Sequence, residues 1–554
     1  MRALRVLSKY RRARNTPPTG AHVNTPTDGT QVFRLPDDIL YEIYEWAAIV
    51  YPPKNYVASL PTVRAQALAR LGWIVLTHIC RHWRAIGLSS HLAPLWARVV
   101  CFSPHWRALR EVPLRAMTCP LIVDLSFDDP LRSTEMTQSG WALPTPMERF
   151  AIQNIERTQT LIAPGRRLVD KLKTRRLTLP TLRELRFGPN GLPADFEPQW
   201  ELPALEVLSL PWTEGLFPPT MVPASLRELH LSVYAGRISL ADLRAFLLAC
   251  SHLEDLDLSV SGEWTDHVLT DDVWPAELQP VHFDHLKRAR ALCDEERSAA
   301  DLWALMCGSP ESSMKFTFWD GDDPYKTPSS AQVLMDACKS HLLSALYDTV
   351  GIRISNAMGE SDLILRLSSS RTPTAFCELA TLANEALRRE FLSILPTYTL
   401  DSASHITSLH LDQVVVGEAA VIEVVGDLFR ALKCVEELTL TGMNPWYSAK
   451  HLRVLASNAP RTVLPALTTL TISSMHIDFR LGNPIGQAGP WWSTLASVLY
   501  ARCNALGFLP LRLVKLEGIW SGRGSWGRTE DRFMENLRTE GSVDELRDER
   551  VWTI

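Results

Sequence analysis

The chain has 554 residues, 46% hydrophobic and 21% charged, with a formal net charge of -5. That length exceeds what one hydrophobic core supports, so two or more domains or an elongated repeat array are expected. The mild negative balance argues against a global nucleic-acid or membrane-surface field, and no apolar run reaches the roughly 18–20 residues needed to cross a bilayer.

Ten cysteines are scattered without a C-x-x-C pair, and no N-x-[ST] acceptor or N-terminal apolar h-region occurs. Buried free thiols in a reducing compartment, cytoplasm or nucleus, fit that pattern. The opening MRALRVLSKYRRARN carries six cations and no acid precedes Asp28. Residues 1–34 read as a basic disordered tail, with a nuclear-import patch and a mitochondrial presequence as the other meanings of that composition.

Residues 35–130 read as mostly helical. In LPDDILYEIYEWA, Pro36 suits the first helical position and Asp37 and Asp38 favour the helix dipole. Ile39, Ile43, Trp46 and Val50 recur at helical spacing, and Leu40, Tyr44 and Ala47 widen the stripe beyond what a lone helix hides. YPPKNY ends it. A second helix is predicted over ARLGWIVLTHICRHWRAIGL, with Trp73, Leu76, Ile79, Cys80, Trp83 and Ile86 on one side. SSHLAPLW then turns the chain, so that Leu95 and Trp96 pack against it.

Residues 131–178 read as a linker region. From Leu179 a phrase L-x-x-L-x-L recurs, beginning at Leu182, Leu205, Leu226 and Leu253 and again at Ile406, Val435 and Leu467, with a weaker copy at Leu513. Its last two apolar residues share one face of a strand and the residue between them faces the other way. Stacked coils bury the apolar face jointly, which predicts a parallel sheet with helices outside, such as those beginning at Ser239 and at Glu378. Between Ser259 and Ala403 the phrase fades to MKFTFWD and LILRLSS, and irregular coils are expected, with DGDDPYKTPSS as the clearest loop. The solenoid is placed at 179–540 and a tail at 541–554. The outward positions Arg186, Ser209, His230, Asp257, His410, Thr439 and Thr471 would line a concave face, where Arg186, His230, Asp257 and His410 are candidates for binding a target. An ordinary solvated sheet face is the other reading.

Two resemblances rest on these residues. Leu35, Pro36, Ile39, Leu40 and Ile43, then Ile79, Cys80, Arg81, Trp83 and Arg84, then Leu95 and Trp96, resemble the F-box, in the style of the large F-box families of mushroom-forming fungi. Roughly 25 residues, from about 48 to 72, separate its two halves as an insertion expected to loop out without unseating the helices. The repeats resemble leucine-rich repeats, although the asparagine of that pattern stands only at Asn190. The fold these resemblances imply is α/β: a small all-helical F-box-like N-terminal domain followed by an irregular leucine-rich-repeat solenoid. The function they imply is a non-catalytic substrate receptor of a Skp–cullin–F-box ubiquitin ligase. Leu35, Pro36, Ile39, Leu40, Ile43, Ile79, Cys80 and Trp83 would dock the Skp adaptor, and through it a cullin, while the repeats bind a target protein. A repeat scaffold whose N-terminal helices pack internally and recruit no ligase is the alternative.

Chemistry finds little purchase. GRGSWG at Gly522–Gly527 fits G-x-G-x-x-G but lacks room for a βαβ unit, so a turn is the plainer meaning. His78 and His82 are four apart with Ile79 where H-E-x-x-H needs glutamate, and His282, Asp284, His285 and Cys293 form a loose cluster. No P-loop or G-x-S-x-G occurs, so no catalytic residue, metal or cofactor is expected, nor nucleic acid or membrane as partner.

Overall fold

In the computed structural model the described residues are 35–53, 71–103, 105–126, 145–162, 166–173, 175–188, 192, 199–213, 215–262, 264, 280–306, 312–319, 331–332, 335–336, 339, 343–355, 362–372, 374–382, 390–391, 393–398, 404–412, 419–442, 445–456, 463–475, 488–506, 508–521, 527–539 and 542–553. The basic tail, most of the insertion, Asn190, the DGDDPYKTPSS loop and the glycine-rich stretch before Gly527 lie outside them. The chain divides into two compact units, Met1–Cys119 with Phe127–Ser133, and Pro120–Ser126 with Thr134–Ile554.

The first unit contains α1 (Asp37–Val50), a 3-10 turn at Gly72–His78, α2 (Arg81–Gly87), α3 (Ala93–Ala97) and α4 (Trp106–Arg115). Pro36 caps α1 from an extended conformation, and its carbonyl accepts the Leu40 N–H at 3.1 Å. The single second helix expected from the sequence is instead two pieces. Cys80 is fully extended between them, with φ -155° and ψ 177°, which turns α2 away from the 3-10 segment. Leu40, Tyr44, Trp73, Trp83 and Trp96 form the core of this unit. The Tyr44 and Trp73 rings meet edge to face at 6.0 Å, and Trp73 and Trp96 at 4.8 Å, the geometry aromatic quadrupoles favour.

The two ends of the expected insertion are clasped. Trp73 N–H donates to the Tyr51 carbonyl at 2.8 Å. The hinge is Gly72, with φ +51°, where an added Cβ would lie 2.5 Å from backbone atoms of Pro52 and Pro53. Only glycine takes that conformation in that space without strain.

In the second unit a 16-stranded sheet, counted among the described residues, runs β1 (Leu121–Asp124), β2 (Thr158–Ile162), β4 (Glu184–Arg186), β6 (Val207–Thr213), β7 (Glu228–Tyr234), β8 (Asp255–Ser261), β9 (Arg288–Cys293), β10 (Ser313–Trp319), β13 (Phe376–Leu382), β12 (Asp362–Ser368), β11 (Thr349–Ser355), β14 (Ser408–Asp412), β15 (Glu437–Thr441), β16 (Thr469–Ser473), β17 (Leu511–Ser521) and β18 (Val543–Thr553). A separate pair joins β3 (Arg176–Thr178) to β5 (Gln199–Glu201). All pairings are parallel except those of β12, which runs antiparallel between β11 and β13.

The L-x-x-L-x-L phrases are these strands, and their register stacks like on like. Leu208, Leu229, Leu256, Ala289 and Met314 are successive partners across five strands, and Leu409, Leu438, Leu470 and Val514 continue the same row in β14–β17. Every one of them is buried. At about 1.5–3 kcal/mol for each fully buried Leu or Val side chain, this row and its twin two residues further along are the main force holding the sheet in register. Helices complete the crossovers demanded by parallel neighbours: α5 (Thr145–Asn154) links β1 to β2, α6 (Arg166–Lys173) follows β2, α7 (Leu240–Ala249) links β7 to β8, α8 (Glu296–Leu305) links β9 to β10, and α9 (Ala419–Ala431), α10 (Pro445–Leu455), α11 (Ala488–Tyr500) and α12 (Gly527–Thr539) follow β14 to β17 in turn. Their inner residues, Phe246, Leu428, Phe429, Leu452 and Trp491 among them, are buried.

Several boundaries move. The sheet begins at β1 and β2, inside the stretches expected to be helical domain and linker, and the expected tail at 541–554 is the strand β18. The helix expected from Glu378 is displaced, because Phe376–Leu382 is β13, whose register with β10 and β12 buries Cys377 and Leu379 on the apolar face. The region expected to hold irregular coils carries five ladder strands, β9–β13.

Candidate functional site

Two surfaces carry the residues singled out from the sequence. On α1 the apolar stripe splits into two faces about a quarter turn apart, as 3.6 residues per turn require. Leu40 and Tyr44 face inward and have no exposed surface. Ile39, Trp46 and Val50 face outward, 37%, 67% and 73% exposed, with Ile49 beside them and Ile43 half-buried. Of the eight expected adaptor contacts, Pro36 and Ile39 are exposed, Leu35, Ile43, Ile79 and Cys80 are half-buried, and Leu40 and Trp83 are buried in their own unit. Leu40 and Trp83 are therefore core residues here, held by the packing around Tyr44. Trp46 and Ile49 were not among the expected contacts, although Trp46 stood in the sequence stripe.

Acidic and imidazole groups edge this face. His82 Nε2 lies 3.3 Å from Asp37 Oδ1, and the His91 and Tyr41 rings stand 4.4 Å apart. His78 and His82 do not share a helix, since the 3-10 turn ends at His78 and α2 starts at Arg81.

The second surface is the polar face of the sheet. The residues between the paired leucines form one row in register: Arg186, Ser209, His230, Asp257, Arg290, Lys315, Glu378 and Arg366 are successive partners from β4 to β12, and Gly351 of β11 links Arg366 to His410 of β14. Arg186, His230 and Asp257 thus share one flank. His410 stands six strands beyond Asp257, about 29 Å at the usual strand spacing, and belongs to a separate neighbourhood.

The middle of the row was not anticipated. Glu378, one-eighth exposed, accepts from Lys315 Nζ at 2.8 Å and faces Arg366 at 4.0 Å, while Arg353 pairs with Asp412 at 3.6 Å. The signal was present in RARALC and LILRLS, where cations alternate with apolar residues at the period of a strand.

Charge on this face is locally tuned. The His230 imidazole beside it holds the Asp257 carboxyl below the usual range against the opposing effect of burial. Burial pushes the His410 imidazole down and the Asp412 carboxyl up. Ser209, His230 and Asp257 stand side by side on adjacent strands, with His230 Nδ1 3.7 Å from Asp257 Oδ2. Acyl transfer would also need N–H donors aimed at a developing oxyanion. The neighbouring backbone N–H groups are committed to the β6–β7–β8 ladder.

His285, one of the loose cluster seen in the sequence, stacks on His252 at 5.3 Å, and among the described residues no group of three or more His, Cys, Asp or Glu is arranged to hold a metal. Among the same residues no helix is long and apolar enough to cross a membrane. No family model and no curated protein sequence matches the chain.

Proposed function

We propose that the protein is the substrate-recognition subunit of a Skp–cullin–F-box ubiquitin ligase, non-catalytic itself, in which an F-box-like helical segment docks a Skp adaptor and a leucine-rich-repeat solenoid binds the target. The observation that carries this reading is the outward stripe of α1, with Trp46 67% and Val50 73% exposed while Leu40 and Tyr44 are fully buried. A helix that has already satisfied one apolar face and still presents a second suits helix-in-groove recognition. The adaptor contacts on α1 then become Pro36, Ile39, Ile43 and Trp46, with Leu40 and Trp83 shaping the helix pair from beneath. In this reading the polar row of the sheet is the target-binding surface, on strands held rigid by the leucine rows.

The burial of Leu40 and Trp83, where the F-box resemblance places adaptor contacts, favours a second reading: a repeat-based interaction protein that recruits no ligase. Capture on an immobilised Skp adaptor separates the two. The ligase reading expects retention of the intact chain, loss with Trp46→Asp, and an unchanged melting temperature for that variant. Failure of the intact chain to bind the adaptor overturns it.

A further inference from the structure

We propose that residues 1–15, the basic stretch MRALRVLSKYRRARN, dock on the outward face of α1 of their own chain and partly cover it. The inference rests on the reading above, which gives that face to the adaptor, and it adds an internal competitor for the same surface.

The face has a definite chemistry. Asp38, Glu42, Glu45 and Ile49 are spaced four, three and four along α1, so they form one line down the helix, and all four are exposed. Ile39, Trp46 and Val50 form the line beside it. Carboxylates and apolar side chains are therefore presented together, and α1 contains no Lys or Arg.

The cations of the fold leave these carboxylates open. None of the described arginines of this unit, Arg81, Arg84, Arg98, Arg107, Arg110 and Arg115, pairs with an acid of α1, and Arg110 stands 4.0 Å from Glu111 instead. Only imidazoles approach: His82 lies beside Asp37, and His91 Nε2 is 4.0 Å from Glu45 Oε1. Among the described residues Asp38 and Glu42 have no ionic partner. The last turn of α1 also lacks the cation that its dipole favours. A neutral or acidic occupant would gain nothing from this charge.

Sequence and tether select a basic one. Residues 1–15 hold Arg2, Arg5, Lys9, Arg11, Arg12 and Arg14 with no acid, interleaved with Leu4, Val6, Leu7 and Tyr10, which complements α1 in charge and in apolar content. Residues 16–34 join this stretch to Leu35, just ahead of α1. A link of that length spans about 24 Å on average, against about 21 Å for the whole of α1, so it delivers the stretch at an effective concentration of about 1 mM. At that concentration an intrinsic dissociation constant of roughly 0.5 mM hides the face about threefold. Residues 54–70 carry three cations to the tail's six and leave from the other end of α1, away from Asp38.

Carbodiimide coupling of the full chain tests the contact, because it joins Lys9, the one lysine of residues 1–15, by an amide bond to a carboxylate that touches it. The expected product joins Lys9 to Asp38, Glu42 or Glu45, and its yield should fall roughly threefold in about 0.5 M salt and in Trp46→Ala. A mixture of isotope-labelled and unlabelled chains shows whether both ends belong to one molecule. Coupling to acids outside α1, coupling between chains, no coupling, or a yield unmoved by salt and by Trp46→Ala overturns the proposal. Adaptor capture keeps it apart from the ligase reading. Replacing the six tail cations together by Gln in the full chain should raise capture roughly threefold. The Lys9 product without capture of either form sinks the ligase reading alone, and equal capture of both forms sinks this one alone.

Discussion

The Tyr44 hydroxyl donates to the Trp83 carbonyl at 2.8 Å, tying α1 to α2 inside the first unit. Gly87 leaves room for it, since a Cβ there would stand 2.6 Å from that hydroxyl, and the Gly87 carbonyl in turn accepts from Trp96 Nε1 at 2.7 Å. Burial pushes the Tyr44 phenol well above its ordinary range, so it stays a donor at any working pH. Tyr44→Phe removes one buried hydrogen bond and leaves the carbonyl without that donor. We expect a loss of about 1–2 kcal/mol in urea unfolding. Trp46→Ala, two residues away on the outward face, should stay within about 0.5 kcal/mol of wild type.

Gly72 makes the clasp under the insertion a sharp test. Gly72→Ala places a Cβ against Tyr51, Pro52 and Pro53 backbone atoms at 2.5–2.6 Å and strains a φ of +51°. The expected cost is on the order of 1–3 kcal/mol. Loss of protection at the Trp73 amide, read by hydrogen exchange, would locate it at the bond to the Tyr51 carbonyl. Shortening the chain between residues 54 and 70 with a flexible link that still spans the clasp should change stability far less, since loop-closure entropy varies slowly with length.

What the sequence disclosed follows from how local each signal is. Strands β4, β6, β7, β8, β14, β15 and β16 were legible because two leucines or their equivalents two apart declare which face is buried. The helix beginning at Ser239 was legible too and is α7, whose first turn is capped by the Ser239 hydroxyl accepting the Asp242 N–H at 3.0 Å. Strand β13 was hidden, since CELATLANEALRR carries helical spacing and good helix formers, and only its long-range register with β10 and β12 decides otherwise. Which face of α1 turns inward was equally undecidable locally, because Leu40, Tyr44, Ile39 and Ile43 are all apolar and the choice rests on Trp73 and Trp83. The charged row Arg290, Lys315, Glu378 and Arg366 was missed for want of a leucine phrase, although the period-two alternation of RARALC was on display.

The Asp257–His230 contact predicts an acid-side effect of definite sign. The folded carboxyl is held below its unfolded value, so its contribution to stability is complete above the ordinary carboxylate range, about 3.9, and is lost as pH falls through the depressed folded value. The stability gap between wild type and Asp257→Asn should therefore be constant near neutrality and narrow below about pH 4. Both side chains are about two-fifths exposed, so the gap is small and screened by salt. Urea unfolding of both proteins at pH 7 and pH 3, at low and high salt, checks the sign. A gap that widened on acidification would show that another group governs this flank.

Arg502 sets the last prediction, because it is a buried cation serving backbone rather than a carboxylate. It is 1% exposed, and it donates from Nη1 to the Val463 carbonyl at 3.0 Å and from Nη2 to the Leu464 carbonyl at 2.5 Å. The turn it binds is awkward, since Leu464 holds φ +43°, and the guanidinium lies over the Phe508 ring at 4.4 Å. Burial lowers the group to about 10, which leaves it charged at neutral pH. Arg502→Ala removes both donors at once from two buried residues at the entrance to β16, and a loss of roughly 3 kcal/mol is expected. Arg502→Lys keeps the charge and gives up the fork that spans two carbonyls, so it should recover only part of that loss. Guanidinium unfolding of the three proteins decides the matter: equal stability of the Ala and Lys variants would show that the planar fork, rather than the positive charge, holds the turn, and wild-type stability of the Ala variant would remove Arg502 from the structure's support altogether.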